Sequence, residues 1–136
     1  MISKDKKHEE QFKNALQAAG AINGDGTVKG DFGASLYLLT GLPNVYERVE
    51  QYIHYDWIDF DPMLALPLSS GERILVSLAG NLYNGRCFEG YTPMDIVGCC
   101  DKEAVELALS AIWMRKRKLL CIGYSIAFAD EFAAAK

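Results

Sequence analysis

The stretch Ser69-Ser70-Gly71-Glu72-Arg73-Ile74-Leu75-Val76-Ser77-Leu78-Ala79-Gly80-Asn81-Leu82-Tyr83-Asn84-Gly85 is a helix with both of its ends written into the chain. Ser69 followed three residues later by Glu72 is a capping box, in which each side chain satisfies a backbone N–H that the first turn leaves unpaired. Asn84-Gly85 supplies the stop, because glycine adopts the left-handed conformation that closes a helix without steric cost. Between these ends Ile74, Leu75, Leu78, Ala79 and Leu82 cover so wide an arc that the helix is expected to lie centrally. Gly80 in the interior costs roughly 1 kcal/mol relative to alanine, which points to close approach of a neighbouring helix.

Toward the N-terminus, Ser3 is a candidate cap for a helix whose Phe12, Ala15, Leu16 and Ala19 recur on one stripe and which Gly20 ends. Residues 22–31, with Gly24, Gly26 and Gly30, read as a loop. Phe32, Ser35, Leu36 and Leu39 then restart the helical period, with Gly41 as the expected left-handed stop. Asn44 and Glu47 resemble a second capping box, before a broad apolar face of Val45, Tyr46, Val49, Tyr52 and Ile53. His54-Tyr55-Asp56-Trp57-Ile58-Asp59-Phe60-Asp61-Pro62 alternates apolar or aromatic residues with aspartate and ends at proline, the pattern of an irregular or short extended connection.

Toward the C-terminus, Thr92-Pro93-Met94-Asp95 starts a helix with proline in its first turn. After Asp101, the residues Val105, Ala108, Leu109 and Ile112 form one stripe, widened by Leu107, Ala111 and Met114. The following Arg115-Lys116-Arg117-Lys118 complements the negative end of that helix. With no interleaved aromatic it makes no platform for stacked bases. From residue 119 onward the apolar tail fits a helix or a strand, and helix is the preferred reading. The whole predicts a mainly α, compact single domain over residues 1–136, a bundle of about five or six helices.

Composition agrees with one packed core: 136 residues, 50% hydrophobic and 24% charged, with only 4 prolines. The 14 Lys plus Arg against 18 Asp plus Glu leave a net charge of −4, which gives no general attraction for phosphate backbones and disfavours direct nucleic-acid binding. The first ten residues carry no apolar stretch of a secretory signal, so a cytoplasmic location is expected. The apolar run 119–129 is too short to cross a bilayer, and no membrane association is expected. Cys87, Cys99, Cys100 and Cys121 lack C-x-x-C spacing and read as reduced, mostly buried thiols.

Catalytic signals are sparse. No G-x-S-x-G elbow, H-E-x-x-H, P-loop or Rossmann fingerprint occurs, and His8 and His54 are the only imidazoles. His8, four residues before Phe12 on the same helix, reads as a packed or half-exposed side chain. His54 could donate a ring N–H to Asp56, but no nucleophile stands beside it. The reading is therefore a non-enzymatic protein without cofactor or bound metal.

Residues 21–31, Ala-Ile-Asn-Gly-Asp-Gly-Thr-Val-Lys-Gly-Asp, resemble the calcium loop of EF-hands and dockerins. Asn23, Asp25, the central Gly26 and Val28 match it. Ala21 at the first ligand position and Phe32 at the last remove most of the charge that would offset dehydration of a divalent cation, with Asp31 one residue early. A metal- or small-ligand-binding domain using the Asn23 to Asp31 loop is the alternative function.

Tyr52, Tyr55, Trp57 and Phe60 lie among Glu47, Glu50, Asp56, Asp59 and Asp61. Rings with an anionic border suit the capture of a basic protein surface. The partner-binding set is accordingly Tyr52, Tyr55, Asp56, Trp57, Asp59, Phe60 and Asp61, on the premise that the rings face outward; the competing arrangement packs them inward. Residues 3–20, 69–85 with their Asn-Leu-Tyr-Asn-Gly end, and 101–118 together resemble a family of small uncharacterised proteins of Gram-positive bacteria and their prophages. That resemblance implies a phage or mobile-element setting, and with it an inhibitor of a host defence or nucleic-acid-processing enzyme. The apolar circumference of the last helix and the tail also points to a homodimer.

Overall fold

The computed structural model describes residues 5–123 and 125–129. Seven α-helices among them are α1 (Lys6–Ala18), α2 (Gly30–Thr40), α3 (Tyr46–Val49), α4 (Phe60–Leu64), α5 (Ser70–Asn84), α6 (Pro93–Cys99) and α7 (Lys102–Lys116). Two antiparallel hairpins join them: β1 (Ile53–His54) with β2 (Trp57–Ile58), and β3 (Leu119–Ile122) with β4 (Ser125–Phe128). The mainly α class holds. The expected five or six helices and the bundle do not: three of the helices are four, five and seven residues long, and the hairpins complete the core.

The centre is α2, not α5. Every residue from Phe32 to Thr40 is buried, as a helix enclosed on all sides requires, and α1, α5 and α7 pack around it. The wide apolar arc of α5 has another cause, since that helix is covered by α2 and also by α4 and α6. Its ends follow the sequence: Ser69 and Glu72 form the reciprocal capping box, and Gly85 closes the helix at φ 78°. Gly80 is approached by rings rather than a helix backbone, because a Cβ there would stand 2.5 Å from Phe88 Cε2 and 3.2 Å from Phe60 Cδ1.

Several local expectations are corrected. The expected cap at Ser3 lies outside the described residues, and Asp5 caps α1 by accepting from the His8 backbone N–H. Gly41 is right-handed, at φ −87°. It is small because α7 and α1 meet there: a Cβ would lie 2.7 Å from Leu107 Cδ1 and 3.0 Å from His8 Cε1. Asn44 forms no capping box; it is itself left-handed, at φ 65°, and turns the chain into α3. Pro62 does not end the segment before it, but sits in the first turn of α4, where a missing N–H leaves no helical bond unmade.

The preferred helix beyond residue 118 is overturned. Leu119, Cys121, Ile126 and Phe128 are buried in alternation, the period of a half-covered strand, and Gly123 turns the hairpin at φ 60°. Residues 130–136 lie outside the described residues. The glycine-rich loop is a small hairpin itself, bridged Ile22 to Val28, and it adds to the edge of β3. The Val28 N–H donates to Leu119 O at 3.0 Å and the Cys121 N–H to Gly26 O at 2.7 Å.

The inward face of α7 is Leu107, Ala108, Ala111 and Met114. Leu109 at 61% exposure and Ile112 at 44% were expected in the buried stripe and instead face out beside Trp113. A helix apolar around its circumference leaves its rotation to its neighbours. The four cysteines are free, but only Cys121 is buried; Cys100 is half-buried, while Cys87 and Cys99 are exposed because they fall in the loop after α5 and at the end of α6. Among the described residues no helix is long and apolar enough to cross a membrane.

Candidate functional site

The aromatic-acidic segment folds as the β1–β2 hairpin, with Ile53 opposite Ile58, His54 opposite Trp57, and Tyr55-Asp56 as the turn. Asp56 takes φ 69°, a conformation that Asn and Asp tolerate better than most residues. The turn is tied to the end of α1 and to Lys29 at the start of α2. The Asp56 N–H donates to Ala19 O at 2.8 Å, and the Asp56 carboxylate accepts from Lys29 Nζ at 3.0 Å. The Tyr55 ring lies over Gly20, where a Cβ would come within 2.5 Å of Cε2. Downstream, the Asp59 N–H donates to Tyr52 O at 2.9 Å and the Ile58 N–H to the Tyr83 hydroxyl at 3.3 Å.

This anchoring divides the seven partner-binding residues. Tyr55, Trp57, Asp56 and Asp61 are exposed, Tyr52 and Asp59 are half-buried, and Phe60 is buried. Phe60 is therefore removed from the outward set: it packs against Tyr83 at 5.7 Å and Phe88 at 5.8 Å between ring centres. Tyr55 at 76% exposure and Trp57 at 49% are the rings offered to solvent. Trp57 is steadied by His54, whose imidazole stacks on the indole at 4.5 Å. The expected His54–Asp56 pairing is replaced by the Lys29–Asp56 ion pair.

The border is less anionic than its sequence. Asp61 pairs with Arg86 at 3.1 Å, as Asp56 does with Lys29, which leaves Glu47, Glu50 and Asp59 without an ion pair among the described residues. Burial, helped by the neighbouring Glu50, pushes the Tyr46 hydroxyl up to about 12. Tyr46 is thus a neutral donor at the wall of a cleft of about 170 Å³ that also reaches His8, Thr40 and Glu47.

In the loop that resembles a calcium site, the oxygens are engaged locally. Asp25 Oδ1 accepts from the Thr27 N–H at 3.0 Å and the Thr27 hydroxyl at 2.6 Å, and these bonds hold its carboxyl below the usual range. Asp31 Oδ1 accepts from the Phe32 N–H at 2.9 Å. No group of three His, Cys, Asp or Glu placed to hold a metal ion is present among the described residues.

The basic run also has structural work. Arg115 Nε donates to Leu82 O at 2.8 Å, satisfying a carbonyl in the last turn of α5, and the Arg117 guanidinium lies 3.6 Å from the Phe128 ring centre. A second cleft, of about 150 Å³, opens between α5, residues 87–91 and α6. At the end of α6, Cys100 Sγ lies 3.8 Å from Gly71 O, and burial, then Cys99 and Asp101, pushes its thiol up.

Sequence reasoning read apolar residues around the circumference of α7 but not which of them face outward, where Leu109, Ile112 and Trp113 are all substantially exposed. The signal was present as a surplus of apolar residues, but nothing in the spacing says which side faces α2. Comparison of the chain with family models, with curated proteins and with solved structures finds no match in any of the three.

Proposed function

We propose that the protein is a non-catalytic binding module that captures another protein through the tip of the β1–β2 hairpin. The observation that carries this reading is the exposure of Tyr55 and Trp57 on a turn tied to the end of α1 by the Asp56–Ala19 hydrogen bond and to the start of α2 by the Lys29–Asp56 ion pair. Rigid, exposed rings lose little conformational entropy on binding and supply large contact area, the properties of interface anchors. Glu47, Glu50 and Asp59 add a steering rim for a basic surface, secondary to the rings. In its most specific form the partner is a nucleic-acid-processing or host-defence enzyme whose basic substrate groove the hairpin would occupy. The acidic balance of the chain supports that form, as does the prophage-type setting implied by the resemblance above.

Affinity capture with the immobilised protein, compared with the double variant Tyr55→Ala, Trp57→Ala, tests the reading. A specific protein recovered by the wild type and lost with the variant is the expected result. Identical recovery by both, with the variant folded by circular dichroism, overturns it. Phe60 is unsuited to this test because its ring belongs to the core.

A further inference from the structure

The outward face of α7 has a periodicity of its own. Lys102, Val105, Leu109, Ile112 and Lys116 follow one another at alternating three- and four-residue steps, with Glu106 and Trp113 immediately beside them. That spacing keeps one narrow stripe in line along a helix and is the seam of a two-helix coiled coil. Its middle is apolar and open to solvent: Leu109, Ile112 and Trp113 are 61%, 44% and 57% exposed, although the opposite side of the helix is fully packed on α2. The Trp113 indole is braced from behind by the Arg117 guanidinium at 5.7 Å.

Charge along and beside the seam is divided after its first residue. Lys102 opens the seam, Glu103 and Glu106 follow in the N-terminal half, and Lys116 and Lys118 stand at or beyond the C-terminal end. Neither Glu103, Glu106 nor Lys116 makes an ion pair among the described residues. A parallel pair of such helices would set like charges against like. An antiparallel pair turned about a two-fold axis between Ser110 and Ala111 sets Leu109 of each copy against Ile112 of the other. The same turn brings Glu106 within one residue of the level of Lys116, about 1.5 Å along the axis. A two-fold contact is isologous, so a single surface supplies both halves of this complementarity.

From this match we infer that the occupant of the α7 face is a second copy of the chain, docked antiparallel through Leu109, Ile112 and Trp113, with Glu106 and Lys116 setting the direction. The surface is separate from the hairpin tip, and the inference does not depend on the partner-capture reading.

Sedimentation equilibrium of the full chain from micromolar to millimolar concentration tests it, with circular dichroism to establish that each variant is folded. The mass is expected to rise from one chain to two. Glu106→Lys and Lys116→Glu, both on the exposed side of the helix, are each expected to weaken the dimer about tenfold by placing like charges together. The double variant carrying both changes is expected to return close to wild-type affinity, because the swap recreates the pairs with their signs exchanged. Leu109→Asp is expected to abolish association. A single-chain mass at every concentration overturns the inference. So does a dimer insensitive to Leu109→Asp, or one that the double charge swap fails to restore, since the contact then lies elsewhere or runs in another direction. Trp57→Ala should leave the dimer unchanged, which separates this test from that of the hairpin.

Discussion

His8 Nε2 lies 2.8 Å from the carbonyl oxygen of Tyr37, with the two rings tilted 47° at 4.7 Å, so α1 is joined to the central helix by a buried polar contact inside an aromatic group. Phe12 closes that group edge-on to Tyr37 at 5.6 Å. His8→Ala removes both the ring packing and the bond, and is expected to cost about 2–4 kcal/mol in urea unfolding. Gly41→Ala intrudes on the same place, against Leu107 and His8, and is expected to cost about 1–3 kcal/mol by overpacking.

Gly71→Ala should be as damaging although it lies in the first turn of a surface-facing helix end. A Cβ there would stand 2.8 Å from the Cys99 carbonyl oxygen, and a backbone atom cannot rotate away as a side-chain tip can. The expected result is separation of α5 from α6, read as loss of amide-exchange protection in residues 93–99. Unchanged protection would count against this close approach.

Acid should act through the α5 cap. The Ser69 N–H, and then Arg48, hold the Glu72 carboxyl below its ordinary value of 4.5. A depressed folded value means that the contribution is present above the unfolded one and is lost as pH falls through the folded one. Stability is therefore expected to decline with acid from just below 4.5, and Glu72→Gln should flatten that part of the profile. Ser69→Ala, which removes the other half of the box, is expected to cost about 1 kcal/mol at neutral pH.

Asp56 separates backbone geometry from surface charge. Asp56→Asn keeps a residue tolerant of the left-handed turn and loses only a solvent-screened ion pair whose side chains are 37% and 65% exposed, so stability close to wild type is expected. Asp56→Pro removes the N–H that donates to Ala19 and forbids positive φ, and should release the hairpin from α1. Quenching of Trp57 fluorescence by a soluble quencher, followed in a Trp113→Phe background, should increase for the proline variant and not for the asparagine one.

Arg115→Ala tests whether the basic run serves α5. Loss of the bond to Leu82 O is expected to cost about 1 kcal/mol, whereas Lys116→Ala, which makes no such bond, should be close to neutral.

The elements that announced themselves were those with local chemistry at both ends. Ser69, Glu72 and Gly85 write the limits of α5 into neighbouring residues, and Thr92-Pro93 does the same for the start of α6. What stayed hidden was set by distant partners. Leu119 and Phe128 form a strand pair because the edge of the 22–28 hairpin and the space under α2 await them, and a short apolar run carries no record of either. The rotation of α7, which sends Leu109 outward and Met114 inward, is likewise decided by packing on α2. At the hairpin, Tyr55 and Trp57 were legible as aromatic residues in a turn-rich segment. Burial of Phe60 followed from the start of α4 and from the two rings, Tyr83 and Phe88, that receive it.

The bridge between Thr27 and Leu120 couples residues that are synthesised far apart. During translation residues 26–28 must wait, their pairing edge open, until β3 has left the ribosome, while α1, α2 and α5 already have one another to pack against. Closure of this seam is thus expected to be a late event in maturation, and a chain halted before residue 119 would present an uncapped ribbon beside an otherwise assembled helical core.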